Sequence, residues 1–134
     1  MTPAFERRRT IVLKQGREGA VKNRHPWIFA GAIGGETGPD DAAIADLVDA
    51  KGARVASGLY SRHSQIRLRA LTWGNEELTE ELLRARIATA IARRRFDAST
   101  SAGRVINAEG DELSGLVVDR YDDVLVVEIA NAGL

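Results

Sequence analysis

The side chains best placed to do chemistry are basic, and they fall into two groups. Lys14, Arg17, Lys22, Arg24 and His25 form the first, and Arg62, His63, Arg67 and Arg69 the second. Ammonium and guanidinium groups at this density hold phosphate by charge and by hydrogen bonding. The chemistry they suit is recognition of a polyanion rather than making or breaking bonds. Trp27 stands one proline beyond the first group. Its ring can stack a base, or it can anchor a core beside Ile28 and Phe29, and the residue types alone leave both roles open. His25 is equally open, and His63 reads first as a polar turn residue.

Other chemistries find no residues to carry them. The chain of 134 residues has no cysteine, which removes disulfides, thiolate metal sites and cysteine nucleophiles. Two histidines 38 positions apart do not make a zinc site. Glu109, Asp111, Glu112, Asp122 and Asp123 lack the spacing of a calcium loop and read as turn carboxylates. There is no G-x-S-x-G elbow, no G-x-x-x-x-G-K-[ST] loop and no G-x-G-x-x-G fingerprint. No catalytic, metal-binding or cofactor-binding residue is assigned.

Charge is distributed unevenly along a chain whose net charge is zero. Residues 1–35 carry seven Lys/Arg against two acids, 36–49 five acids and no base, and 50–72 five bases and no acid. Residues 97–134 carry eight acids against two arginines. Such segregation points to a front part that meets a polyanion and a back part that does not. No apolar run approaches the roughly 18 residues of a membrane span, and no signal peptide is recognisable, so a cytoplasmic protein is expected.

The elements that must hold these side chains follow from periodicity and punctuation. Residues 1–9, with Arg7-Arg8-Arg9, read as a frayed, solvated end. A strand is predicted at Thr10–Lys14 and one or two helical turns over Arg17–Asn23, stopped ahead of Pro26. Trp27-Ile28-Phe29 reads as an apolar plug, residues 30–35 as a small, flexible stretch and residues 36–41 as a polar loop. Strands are predicted over 43–49, 54–60 and 65–71, with turns at Lys51-Gly52 and residues 61–64. The last strand alternates most cleanly, with Ile66, Leu68 and Ala70 on one face and Arg67 and Arg69 on the other, exposed face. If strand and short helix are neighbours, both basic groups line one groove. A small, mostly β barrel or sandwich fits this order.

After Thr72–Asn75 a helix capped by Thr79 is predicted, with Leu82, Leu83, Ile87, Ala90 and Ile91 at helical spacing. Four glutamates at its start and Arg93-Arg94-Arg95 at its end match the helix dipole, with RNA contact a second role for the arginines. A loop over 98–103, a strand over 104–107, an acidic turn over 109–112 and a hairpin pairing 116–120 with 124–129 complete the reading.

Three separated stretches carry a family resemblance. They are Val12–Glu18 with Val21–Ile33, then Gly58–Tyr60 with Ser64–Arg69, then Asn107–Asp111 with Leu113–Tyr121. Together they resemble bacterial class I SAM-dependent methyltransferases that make 5-methylcytosine in large-subunit (23S) rRNA. Ser61-Arg62 stands where such proteins often have Asn-Pro, and Glu112 and Ser114 where they have Gly and Pro. The resemblance implies an α+β, mostly β chain: a PUA-like pseudo-barrel over 1–75, followed over 76–134 by a helix and β-hairpin of a second small, EEHEE-like α+β domain. It implies no Rossmann-like SAM domain and no catalytic cysteine in these residues. The function implied is RNA binding, with structured large-subunit rRNA as partner and S-adenosyl-L-methionine needed only by a longer enzyme. A standalone PUA-type RNA-binding module is the alternative. Lys14, Arg17, Lys22, Arg24, His25, Arg62, Arg67 and Arg69 are the expected RNA-facing residues.

Overall fold

The β-branched and alternating runs of the first half become strands because they have apolar residues enough to bury one face. The computed structural model describes residues 5–93 and 102–129. The chain divides into two compact units, with the division between Leu78 and Thr79.

The first unit contains β1 (Arg8–Leu13), the single helical turn α1 (Gly19–Lys22), β2 (Trp27–Phe29), β3 (Ile33–Thr37), β4 (Ile44–Val48), β5 (Arg54–Tyr60) and β6 (Ile66–Trp73). The sheet order is β2-β6-β5-β4-β1-β3. β1 runs parallel to β4 and antiparallel to β3, and the other pairs are antiparallel. Ile11, Leu13, Ile28, Ala45, Leu47, Ala56, Tyr60, Leu68 and Ala70 form one buried cluster. Leu68 and Ala70 point into it, while Arg67 and Arg69 alternate to the other face of β6, as period two requires. Glu36 on β3 hydrogen-bonds Tyr60 on β5 and Arg67 on β6. A flat sheet would hold these strands about 14 and 19 Å from β3, so the sheet is curled into a half-barrel.

On the opposite face of β4 and β5 a polar network is buried. Ser57 donates to Asp46 Oδ1 at 2.5 Å, and Arg8 Nη1 donates to the same oxygen at 2.9 Å. Arg8 Nη2 also donates to the Leu78 carbonyl. Ser57 is fully buried, and its hydroxyl is satisfied only because Asp46 stands opposite it in register.

The second unit contains α2 (Glu80–Arg93), β7 (Ala102–Asn107), β8 (Leu116–Tyr121) and β9 (Val124–Ile129), with sheet order β7-β8-β9. Thr79 Oγ1 accepts from the Leu82 amide at 3.1 Å, the expected cap. Leu83 and Ile87 of α2 pack with Ala90 against Val105, Ile106, Leu113 and Val118. The acidic turn is a 3-10 turn, Ala108–Asp111, and its buried Asp111 accepts the Asn107 amide at 2.6 Å. Among the described residues no helix is long and apolar enough to cross a membrane.

Several local expectations give way. Arg8 and Arg9 do not belong to a solvated end but begin β1, because acids 38 and 27 residues away neutralise them. Residues 33–37 are a strand, not a flexible or polar loop, since pairing with β1 tolerates Gly34 and Gly35. Phe29 is half exposed rather than core, and so is Ile91 on α2. Ala102 and Gly103 extend β7, while Arg94, Arg95 and residues 98–101 lie outside the described residues.

The β5–β6 pairing depends on Gly58. A Cβ there would stand 2.0 Å from the Arg69 carbonyl oxygen, at a bulge between Ser57 and Gly58. The Arg69 carbonyl and the Ala70 Cα, 2.7 Å away, are both backbone, so neither can swing away. Gly58→Ala is expected to destabilise the first unit by about 3 kcal/mol, the upper range of overpacking costs, as a lowered urea midpoint. An unchanged midpoint would show that the two strands separate freely at this point.

Candidate nucleic-acid interface

Folding sorts the basic residues into those that acids hold and those that face solvent. The acidic run 36–49 lies beside the arginine-rich start of the chain because β3 and β4 flank β1. Arg7 pairs with Asp41, Arg8 with Asp46, and Arg9 with Glu36 and Asp40. Two expected RNA-facing residues are held in the same way: Arg62 by Asp40 at 3.0 Å and Arg67 by Glu36 at 2.6 Å. Arg67 is therefore not the freely exposed cation that alternation alone suggests.

Lys14, Arg17, Lys22, Arg24 and His25 are exposed. Among the described residues, the first four make no ion pair. They surround α1. Its single turn closes when the Asn23 amide bonds the Gly19 carbonyl at 3.1 Å, and Arg24 then adopts a left-handed backbone, φ 53°. The helix thus ends at Lys22, with Asn23 as its cap and Arg24 turning the chain away, ahead of the Pro26 that the sequence marks as its stop. A non-glycine residue in this region carries strain of about 1–3 kcal/mol.

β2 joins the two basic groups. Trp27 lies opposite Arg69 in the β2–β6 register, and the Arg69 guanidinium sits 5.6 Å from the Trp27 ring centroid. That is cation–π distance. His25 approaches the same indole edge-on at 5.7 Å, and its Nδ1 accepts the Trp27 amide at 3.2 Å. Trp27 is half-buried, and Ile28 supplies the core contact that closes the barrel beside it. Trp27 and Phe29, with Arg17 and Gly16, line a depression of about 300 Å³ floored by Leu13, Ile28 and Ala32. Arg62, His63 and Arg67 line a different one, of about 400 Å³, with Arg9, Gly34 and Glu36. Of the predicted RNA-facing residues, Arg17 thus lines the first depression, and Arg62 and Arg67 line the second.

Glu36 was not legible as a site residue. Its Oε1 accepts from Arg9 Nε at 2.9 Å and from the Tyr60 hydroxyl, and its Oε2 accepts from Arg67. Burial alone would raise this carboxyl, but the bonds from Tyr60, Arg9 and Arg67 outweigh it and hold the pKa below the ordinary carboxylate value. Burial, then the bond to Glu36, pushes the Tyr60 hydroxyl up. The Glu36 bond likewise raises Arg9, which stays protonated. An acid in a Gly-rich stretch reads as loop, and only strand pairing shows what it faces.

Residues 11–73 match the family model of a PUA-like domain, and the curled sheet of the first unit is a fold of that class. Over nearly its whole length the chain is similar to part of proteins named as rRNA methyltransferases. The ribosomal RNA large subunit methyltransferase I of Tolumonas auensis is 39% identical over 129 residues, covering 92% of this chain and 32% of that protein. Its counterpart from Alteromonas mediterranea is 36% identical over 130 residues, with the same coverage. The chain spans about a third of the length of the curated relatives it matches. A solved structure of a proposed SAM-dependent methyltransferase from Streptococcus mutans superimposes with a TM-score of 0.74 at 14% identity, covering 92% of this chain and 33% of that one. Another, of a proposed methyltransferase complexed with SAH, gives a TM-score of 0.73, also at 14% identity. At that identity the likeness is one of fold.

Because the folded state lowers the Glu36 pKa, the unfolded chain binds the extra proton in acid. The stability Glu36 contributes is complete above the unfolded value of about 4.5 and is lost as pH falls through the folded value. Glu36→Gln is expected to cost about 2 kcal/mol near neutrality, typical of hydrogen bonds to a charged group. It should also flatten the fall in Tm below pH 4.5. Parallel Tm–pH profiles for variant and wild type would remove Glu36 from this role.

Proposed function

We propose that this chain is the RNA-holding, N-terminal portion of a SAM-dependent rRNA (cytosine-C5) methyltransferase, working in the cytoplasm. In this reading it positions structured large-subunit rRNA for methyl transfer carried out by another domain. The observation that carries the proposal is the Arg69–Trp27 pair flanked by solvent-facing cations on a PUA-like sheet. Lys14, Arg17, Lys22 and Arg24 are the proposed phosphate contacts, with Arg69 on Trp27 as a platform for a base or a backbone turn. Arg62 and Arg67 join them only where phosphate displaces Asp40 and Glu36 as their partner. PUA-like domains suit such use, since shape and backbone contacts dominate recognition of structured RNA.

The described residues do not fit S-adenosyl-L-methionine. The one parallel strand pair, β1 with β4, is separated by two further strands, the single turn α1 and a 3-10 turn at Ala30–Ala32, with no strand–Gly-rich turn–helix unit between them. With no cysteine in the chain, a thiol nucleophile for cytosine C6 must also come from elsewhere. Supplied with SAM and rRNA, the purified chain is expected to transfer no methyl group, and label appearing in the RNA would overturn the division of labour.

Four phosphate contacts predict that log affinity for an rRNA fragment falls with log salt at a slope of about −3. Arg24→Gly makes a discriminating variant, because it removes a cation while relieving the left-handed strain. It should leave Tm equal or higher, weaken binding severalfold at moderate salt and shorten the slope by about 0.7–0.9. Fluorescence anisotropy across a salt series measures both. An affinity indifferent to salt would sink the RNA reading.

A further inference from the structure

The depression bordered by Trp27, Phe29 and Arg17 is deeper than a flat stacking platform needs. Its volume of about 300 Å³ reaches the small end of the range for small-molecule sites. Trp27 and Phe29 alternate with the buried Ile28 along β2. Phe29 is 49% exposed and takes no part in the core cluster. A chain with only 5% aromatic residues thus places two of them around one opening, where the fold itself does not use Phe29. The opening exists because side chains are missing from it. A Cβ at Gly16 or Gly19 would meet no atom within 4 Å. Gly16 is required by its left-handed backbone, φ 87°, but Gly19 lies in α1 and has no such need. The aromatic walls are held in place beforehand. The Ala70 amide bonds the Pro26 carbonyl at 2.7 Å and the Ala30 amide the Gln65 carbonyl at 2.8 Å, which ties both ends of β2 down. Arg69 and His25, which do not line the depression, brace the indole at 5.6 and 5.7 Å.

The polar lining selects the occupant. Among the described residues Arg17 is the one charged side chain on the depression. A guanidinium donates and never accepts. Glu18 supplies no acceptor there, since it does not line the depression and its Oε1 accepts the Gly16 amide at 3.2 Å. Aromatic walls with a donor-only edge suit a flat ring that presents two adjacent acceptors. Guanine presents O6 and N7, which a guanidinium engages with both arms of its fork. Adenine sets an amino donor beside N7, and uracil separates its two carbonyls by an N–H. Cytosine has N3 beside O2 but a single ring to stack, where guanine has two. We propose that the depression takes one unstacked guanine base of single-stranded RNA, held against Trp27 and Phe29 with Arg17 reading O6 and N7. The remaining donors of Arg17 are left for a phosphate. This rests on reading the chain as RNA-binding, and it adds a base preference to contacts that are otherwise blind to sequence.

Short oligouridines carrying one central guanosine, adenosine or cytidine test it on the whole chain, with affinities read by fluorescence anisotropy at a single salt concentration. The guanosine oligomer is expected to bind about tenfold more tightly than the others, the discrimination one bidentate pair provides. Central 7-deazaguanosine, which lacks the N7 acceptor, should lose most of that preference. Arg17→Lys, which keeps the charge without the fork, should bring the guanosine oligomer to the level of the others. Gly19→Leu, whose side chain fills the depression, should do the same while Tm stays equal or rises, because leucine is the better helix former. Equal, salt-dependent affinity for all the oligomers would overturn this inference and leave the RNA reading standing. A preference for cytidine or adenosine, or a guanosine preference that survives both variants, would overturn it as well. Failure of the RNA reading would appear differently, as no binding of any oligomer or of an rRNA fragment, and would remove both.

Discussion

The Glu36 carboxylate takes hydrogen bonds from Arg9 on β1, Tyr60 on β5 and Arg67 on β6. These groups can meet only if β3, at one end of the sheet order, curls round to the strands near the other end. The half-barrel and the hub therefore imply each other. Apolar burial supplies most of the driving force through Ile11, Leu13, Leu47, Tyr60 and Leu68. Burial alone is indifferent to how far the sheet closes, whereas three directional bonds to one anion are not. Charge-assisted bonds to a mostly buried carboxylate are also among the stronger ones available.

The same arrangement decides the electrostatics of the surface. A chain with a basic start and an acidic run after it folds so that the acids neutralise part of that start. What remains outward is the cation set around α1 and the Arg69–Trp27 pair. Trp27 does not join the buried cluster of the first unit. It is half-buried beside the core residue Ile28, and its remaining face carries a guanidinium. Phe29, exposed beside it, adds an aromatic rim to the depression that Arg17 borders.

Much of the fold was legible because period-two alternation and turn residues are local. β4, β5, β6 and the β8–β9 hairpin fall where their patterns put them, and Thr79 caps α2. β3 was not legible, since Gly34 and Gly35 erase its alternation and its strand character comes from pairing with β1. Arg8 and Arg9 failed for the complementary reason: nothing adjacent in sequence announces Asp46 or Glu36 as partners. Of the candidate site, the exposed residues Lys14, Arg17, Lys22 and Arg24 kept the exposure their composition suggests, whereas Arg62 and Arg67 were claimed by distant acids.

By itself the sequence determined a cysteine-free, mostly β chain with two basic groups and an aromatic between them, because residue type and spacing carry those properties locally. Only the tertiary structure decided which cations remain outward. Ion pairing depends on which strands become neighbours, and that is set by the joint burial of residues far apart in the chain. It also decided that Arg69 rather than Arg67 shares a surface with Trp27. The two arginines lie two residues apart on one face, yet the register of β2 against β6 brings one to the indole and leaves the other to Glu36.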